Sequence, residues 1–263
     1  MAYGYGGYGD FKPYVRVADR LKRGAKEAAK LAKRRGREVE PARTEGRKLV
    51  TTFWGRAWCD NLARYSDFET RLPRGRAYAG NGSVLDLHLA AGRVEALVAG
   101  SELYQVRIDI ARLAPARWKS LVGDCTGEIA SLVDLLAGQL SDAVLARLTH
   151  AERGLFPAPP EIEMDCSCLD WATMCKHVAA TLYCVGARLD HRPELFFTLR
   201  QVDQADLIAS AGAGVARRAA SATRARTPKR QVRGDLAAVF GIELDEAPPP
   251  PPKKKTTRAK AKR

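Results

Sequence analysis

The sequence predicts an α+β fold in which a small antiparallel sheet packs with helices and is followed by a cysteine-rich segment of strand, loop and helix. Apolar and polar residues alternate through 84–89, 94–99 and 104–110, which predicts three strands. Helical patterns flank these strands, and Lys and Arg are concentrated near both ends of the chain. We therefore expect a basic N-terminal arm (1–48), an α+β body (49–156), a cysteine-rich module (157–210) and a basic C-terminal arm with one short helix (211–263), both arms being largely disordered.

The charge of the chain is unevenly distributed. The net charge is +14, and residues 1–48 carry 14 Lys and Arg against 6 Asp and Glu, while residues 211–263 carry 14 against 4. Residues 49–210 carry 16 against 20 and are weakly acidic. Two basic arms on an acidic body favour binding of a polyanion, and nucleic acid, DNA more than RNA, is the expected one. The alternative is that the basic tails only keep the protein in solution.

The N-terminal arm contains one helical pattern. Residues 14–35 combine high helix propensity with a poor apolar face, because Ala and Leu are interleaved with Lys and Arg. Such a helix is marginal alone and is expected to fold on a phosphate backbone. The basic residues that we expect to contact nucleic acid, in both arms and in the body, are Arg16, Arg20, Arg23, Lys26, Lys30, Arg34, Arg74, Arg76, Arg217, Arg218, Lys229 and Arg230.

The body begins at about Leu49. Aromatic residues at helical spacing predict a helix over 53–65, and closely spaced Arg and Gly predict a loop over 71–82. A short Ala-Ala-Gly segment between the first two strands predicts a hairpin. The third strand extends the sheet, and its outward-facing residues are expected to be Gln105, Arg107 and Asp109. Further helices are expected over 115–122, 126–137 and 141–150.

Four potential metal ligands lie within twelve residues of one another. Residues 161–166 alternate and predict a strand, and residues i and i+2 of a strand project to the same side, so Cys166 and Cys168 can face one metal ion. A return loop then leads to Cys175 and to His177, which begins the next helix. Three thiolates and one imidazole suit tetrahedral Zn²⁺, and four protein ligands leave no open position for water, which favours a structural role.

The ligand spacing also resembles that of a known family. Cys-x-Cys, six residues, then Cys-x-His is tighter than the spacing of common zinc fingers, and it is similar to the SWIM-type zinc finger, with the four residues above at its ligand positions. Residues 193–200 and 235–242 resemble bacterial SWIM-type proteins as well. The resemblance implies DNA binding and protein–protein contact, in association with helicase-like remodelling ATPases, and no catalysis by the module itself.

Charge separates the module from the arms. Between 161 and 177 the acidic residues are Glu161, Glu163, Asp165 and Asp170, against Lys176 alone. Three thiolates and one Zn²⁺ add a net charge of about −1. Because DNA affinity depends on Lys and Arg contacts, a negative module is a poor phosphate ligand. We expect the arms and the Arg-rich loop to hold the nucleic acid, and the module to be a structural or protein-docking platform.

The sequence therefore predicts a non-enzymatic zinc-binding protein that binds nucleic acid mainly through its arms. The main alternative is an adaptor for a helicase-like remodelling ATPase, and an enzyme with a dispersed active site is a third possibility. For the cluster itself, an iron–sulfur site and a chance grouping of reduced side chains are the alternatives. Cys59, Cys125 and Cys184 are expected to be core thiols.

No apolar run approaches the roughly 20 residues of a membrane span, so we expect a cytoplasmic protein, associated with the nucleoid if it binds DNA.

Overall fold

The computed structural model describes residues 15–42, 48–126 and 140–210. Its helices are α1 (Val17–Arg34), α2 (Phe53–Asn61), α3 (Arg71–Gly80), α4 (Pro115–Thr126), α5 (Asp142–Leu148), α6 (Lys176–His191) and α7 (Leu195–Arg200). Its strands are β1 (Val84–Ala90), β2 (Arg93–Ala99), β3 (Leu103–Ile110) and β4 (Ile162–Cys166). Apart from Thr126, the predicted helix over 126–137 lies outside the described residues, as does the whole C-terminal arm.

The four strands form one antiparallel sheet in the order β1-β2-β3-β4. The predicted hairpin is confirmed, and its turn contains Gly92 with φ of 68°, a left-handed conformation that glycine adopts without steric cost. Strand β4 arrives from much later in the chain and pairs with β3, so that Cys166 lies opposite Val106. The strand of the predicted cysteine-rich module therefore belongs to the same sheet as the strands of the predicted body. The α+β fold class with a small antiparallel sheet is confirmed.

Helix α6 lies at the centre of the core. Thirteen of its sixteen residues are buried, as expected for a helix that contacts other elements on all sides. The sheet packs against it through residues such as Val98 and Ile108, both fully buried. On another side, the indole Nε1 of Trp58 in α2 donates to the carbonyl oxygen of Leu182 at 2.9 Å. The position of α6 is thus fixed by the sheet and by α2 together.

The predicted loop over 71–82 is wrong, because residues 71–80 form helix α3. Pro73 lies in its first turn, where proline is tolerated. Gly75 faces α6 so closely that a Cβ atom at this position would lie 2.4 Å from the Cβ of Ala179. The glycine that suggested a loop is therefore required by helix packing, and the tertiary contact overrides its weak helix propensity.

Helix α1 covers the opposite face of the sheet. Gly24, Ala28 and Ala32, spaced four residues apart, are its buried residues. A Cβ atom on Gly24 would lie 2.9 Å from Leu85 and 3.0 Å from the Cβ of Ala99, so the helix backbone lies close against β1 and β2. For residues 17–34 the prediction of a largely disordered arm is therefore wrong. The apolar face of α1, which looked too poor for packing in the sequence, consists of these small residues and packs on the sheet.

We expect Gly75→Ala to lower the free energy of unfolding by about 1–3 kcal/mol, because the added methyl group overpacks the contact between α3 and α6. Gly123→Ala is the matched control, since Gly123 is also in a helix but a Cβ there meets no atom within 4 Å. It should stabilise the protein by roughly 0.5–1 kcal/mol through helix propensity alone. Urea unfolding of the two variants measures both effects, and equal stabilities would refute the close packing.

Candidate metal centre

The four predicted ligands lie where β4 ends and α6 begins. Cys166 is the last residue of β4, and Cys168 follows it after Ser167, whose N–H donates to the carbonyl of Gln105 and so continues the pairing with β3. After the return loop, Cys175 is the N-cap of α6 and His177 lies in its first turn. The sheet and the central helix, both held by the core, therefore set the positions of the ligands.

The ligand atoms converge on one point. The Sγ atoms of Cys166, Cys168 and Cys175 and a ring nitrogen of His177 all lie within 4.8 Å of one another. The Nδ1 atom of His177 is 3.8 Å from Sγ of Cys166 and 3.9 Å from Sγ of Cys175. A tetrahedral ion with bonds of about 2.0–2.3 Å places its ligand atoms roughly 3.5–3.8 Å apart. The donor set and its spacing thus fit a single bound metal ion.

The His177 ring is held in a fixed orientation. It is 1% exposed and stacks on the ring of Tyr104 with centroids 4.1 Å apart and an angle of 22°. The ring of Tyr78 meets it edge-on at 5.5 Å. Nδ1 faces the sulfur atoms, whereas Nε2 is buried without a hydrogen-bond partner among the described residues. The two tyrosines therefore fix the plane of the ring, in which Nδ1 is the nitrogen that faces the sulfur atoms.

The environment favours the thiolate form of Cys175. A hydrogen bond from Cys166 lowers the pKa of Cys175 to about 4, and His177 and the backbone N–H of Val178 act in the same direction, while burial opposes them. The same hydrogen bond, together with burial, raises the pKa of Cys166 above its ordinary value. The hydrogen bond from Cys166 and the backbone N–H of Val178 thus both stabilise negative charge on the Cys175 sulfur, as thiolate ligation of a metal requires.

The return loop is anchored from outside the cluster. The Asp67 carboxylate accepts from the backbone N–H of Thr173 at 2.8 Å, and Asp170 accepts from Arg71 of α3 at 2.9 Å. Between these anchors, Trp171 is 82% exposed and meets Phe68 edge-on at 5.1 Å.

The other cysteines do not join the cluster. Cys59, Cys125 and Cys184 are buried elsewhere in the core, which confirms the prediction for them. Burial raises the pKa of both Cys59 and Cys184 to about 12, so these thiols are protonated. His88 lies away from the cluster as well, and its Nε2 is 3.0 Å from the carboxylate of the fully buried Asp86.

The basic residues predicted to bind nucleic acid are divided among several positions. On α1, Arg23, Lys26, Lys30 and Arg34 are exposed, and Arg16 is exposed just before it. Arg20 is half-buried and donates to the hydroxyl of Tyr78 at 3.3 Å. Arg74 and Arg76 are exposed on α3, and the Arg76 guanidinium lies over the ring of Tyr183, 5.4 Å from its centroid. Arg217, Arg218, Lys229 and Arg230 lie outside the described residues.

The fold and this cluster define an α+β protein with a compact Cys₃His group that can hold a metal ion. The uncharacterized protein Rv2102 of Mycobacterium tuberculosis is 32% identical to this chain over 184 residues, which are 69% of this chain and 66% of the mycobacterial protein. The chain thus spans slightly less than two thirds of that relative. No protein-family model matches the chain, and no solved structure matches it. In the described part of the chain, no helix has the length and apolar character needed to cross a membrane.

We expect the purified protein to contain about one metal ion per chain and Cys175→Ser to lose it, because three remaining ligands leave an incomplete tetrahedral shell. Metal content relative to protein, measured by plasma mass spectrometry, tests this. Cys184→Ala is the matched control and should retain the metal, since Cys184 lies outside the cluster. Retention of a full complement of metal by Cys175→Ser would rule out the assigned ligand set.

Proposed function

We propose that the protein binds nucleic acid, DNA more strongly than RNA and without strong sequence preference, through a basic surface that includes α1. We propose further that Cys166, Cys168, Cys175 and His177 hold Zn²⁺ in a structural, non-catalytic role. The observation that carries the first proposal is the arrangement of charge on α1, which is folded against the sheet with all of its Lys and Arg except Arg20 exposed. The convergence of the four ligand atoms supports the second.

Helix α1 has two faces of opposite character. Its buried face consists of small residues, as described above, whereas Lys22, Lys26 and Lys30 repeat every four residues on the exposed side. The helix carries seven Lys and Arg against two Asp and Glu. Lys22, Arg23 and Lys26, together with Asp19, line a surface depression of about 230 Å³. A helix that is already folded presents these cations without an ordering cost, which favours contact with regularly spaced phosphates.

The choice of zinc follows from the donor set. Three sulfur ligands and one imidazole are soft and intermediate donors, which zinc accepts in tetrahedral geometry and which magnesium or calcium do not prefer. When bound, the ion would cross-link β4 to α6. It would not hold a reactive water molecule, because four protein ligands complete its shell. The spacing, together with the strand–loop–helix layout, supports assignment of the segment to the SWIM-type zinc fingers.

The binding proposal predicts a specific salt dependence. Replacing Lys22, Lys26 and Lys30 by Gln should weaken binding to a 30-base-pair duplex and make the plot of log affinity against log salt shallower by about 3, since three phosphate contacts are lost. The matched control replaces Arg112, Lys119 and Arg153, which are exposed outside α1, and removes the same charge. Fluorescence anisotropy of the full-length proteins measures both slopes. Equal slopes for the two triple variants would show that the duplex does not bind through α1.

A second function, as a protein adaptor, is favoured by the tip of the return loop. Leu169 and Trp171 are two of the three large apolar side chains that are exposed in the described part of the chain, the third being Val15. Arg71 anchors the loop at Asp170, between these two side chains, and Asp67 anchors it at Thr173, just after them. An exposed apolar pair on an anchored loop suits contact with a protein segment, such as one on a helicase-like remodelling ATPase.

The adaptor proposal is tested by replacing Leu169 and Trp171 with Ser. Both side chains are exposed, so the variant should retain its metal and its stability while a partner that co-purifies from native cells is lost. The comparison is made with nuclease present, so that bridging by nucleic acid does not contribute. If the same partner remains bound to the variant, the loop is not its docking site.

A further inference from the structure

Two cations from distant parts of the chain lie over one aromatic ring beside the metal-ligand cluster. The Arg20 guanidinium carbon is 5.8 Å from the centroid of the Tyr78 ring, and Nζ of Lys176 is 5.9 Å from the same centroid. Arg20 belongs to the basic helix α1, whereas Lys176 lies between two of the predicted metal ligands in the first turn of α6. The basic surface of α1 therefore reaches the edge of the metal centre.

A second set of contacts joins α1 to the metal centre. Arg23 donates to the carbonyl oxygen of Ser101, and the hydroxyl of Ser101 is 2.6 Å from that of Tyr104. The Tyr104 ring stacks on His177, as described above. Both tyrosines that orient His177 thus also contact α1, directly or through one residue, and they fix the helix relative to Lys176.

We propose that Arg20, Arg23 and Lys176 form one continuous phosphate-binding surface, so that nucleic acid held by α1 also contacts the metal-binding module. This rests on the proposed binding through α1 and differs from the sequence analysis, which placed the module away from the phosphates on the basis of its net charge. Net charge is misleading here because two of the four acidic residues counted there are paired with arginines, Asp170 with Arg71 and Glu161 with Arg200. Both carboxylates are therefore occupied by other donors, while Lys176 has no ion-pair partner among the described residues.

The dimensions suit a polyphosphate backbone. Each strand of duplex DNA carries one charge for about every 3.4 Å of the axis, so two cations that lie over one tyrosine ring can contact neighbouring phosphates of one strand. Arg20 and Lys176 are half-buried and Arg23 is exposed, and the hydrogen bonds of Arg20 to Tyr78 and of Arg23 to Ser101 restrict the two guanidinium groups. Because Cys175 and His177 bracket Lys176, metal ligation would fix the backbone that carries its side chain.

The test uses full-length protein loaded with zinc and a 30-base-pair duplex as the probe. Lys176→Gln should weaken binding several-fold and reduce the salt slope by about 1, because one phosphate contact is lost. Lys176→Arg keeps the charge and should bind like the unmodified protein. Lys119→Gln, an exposed lysine in α4, is the matched control and should leave affinity unchanged. Metal content is measured for each variant, so that a loss of zinc is recognised.

A measurement on the unmodified protein gives an independent readout. Acetylation of surface amines, followed by peptide mass spectrometry, should show that the duplex protects Lys176 together with Lys26 and Lys30, and does not protect Lys119. If the α1 triple variant loses affinity but Lys176 is neither protected nor needed, this inference fails and binding through α1 stands. If the triple variant binds normally, the proposed function itself fails.

Discussion

The burial of α6 is the constraint on which the candidate metal centre depends. This helix contacts the sheet, α2 and α3, and its first turn supplies His177 while its N-cap supplies Cys175. The close approach of α3 at Gly75 sets how far the helix can move in the core. The ligands are therefore located by apolar packing, and the ion would join two elements, β4 and α6, that the core already brings together.

Much of the fold could be predicted because its signals are local. Period-two alternation identified the strands, and the spacing of Cys166, Cys168, Cys175 and His177 identified four potential ligands that the structure brings within 4.8 Å of one another. Prediction from these local patterns was wrong where the role of a residue depends on a tertiary contact. Gly75 was interpreted as part of a loop although it is a packing position in a helix, because its neighbour Ala179 is distant in sequence.

The role of α1 was missed for a related reason. Packing was judged from large apolar residues, yet this helix is buried through Gly24, Ala28 and Ala32, whose regular spacing was present in the sequence. Small residues allow two backbones to approach closely, but each buries little apolar area. Their regular spacing therefore gives only a weak hydropathy signal for a buried helix face. The positions of Tyr78 and Tyr104 around His177 could not be inferred at all, because no pattern in the sequence near either tyrosine indicates a contact with His177.

The pairing of β4 with β3 has a consequence for the order of folding. Cys166 pairs with Val106, which precedes it by far in the sequence, whereas the four ligands are separated only by a short loop. Each doubling of loop length adds roughly 0.6 kcal/mol to the entropic cost of closure, so the metal loop closes at lower cost than the sheet. A bound ion can therefore preorganise the end of β4 and the start of α6 as one unit, which reduces the freedom that the strand loses when it docks on the edge of β3.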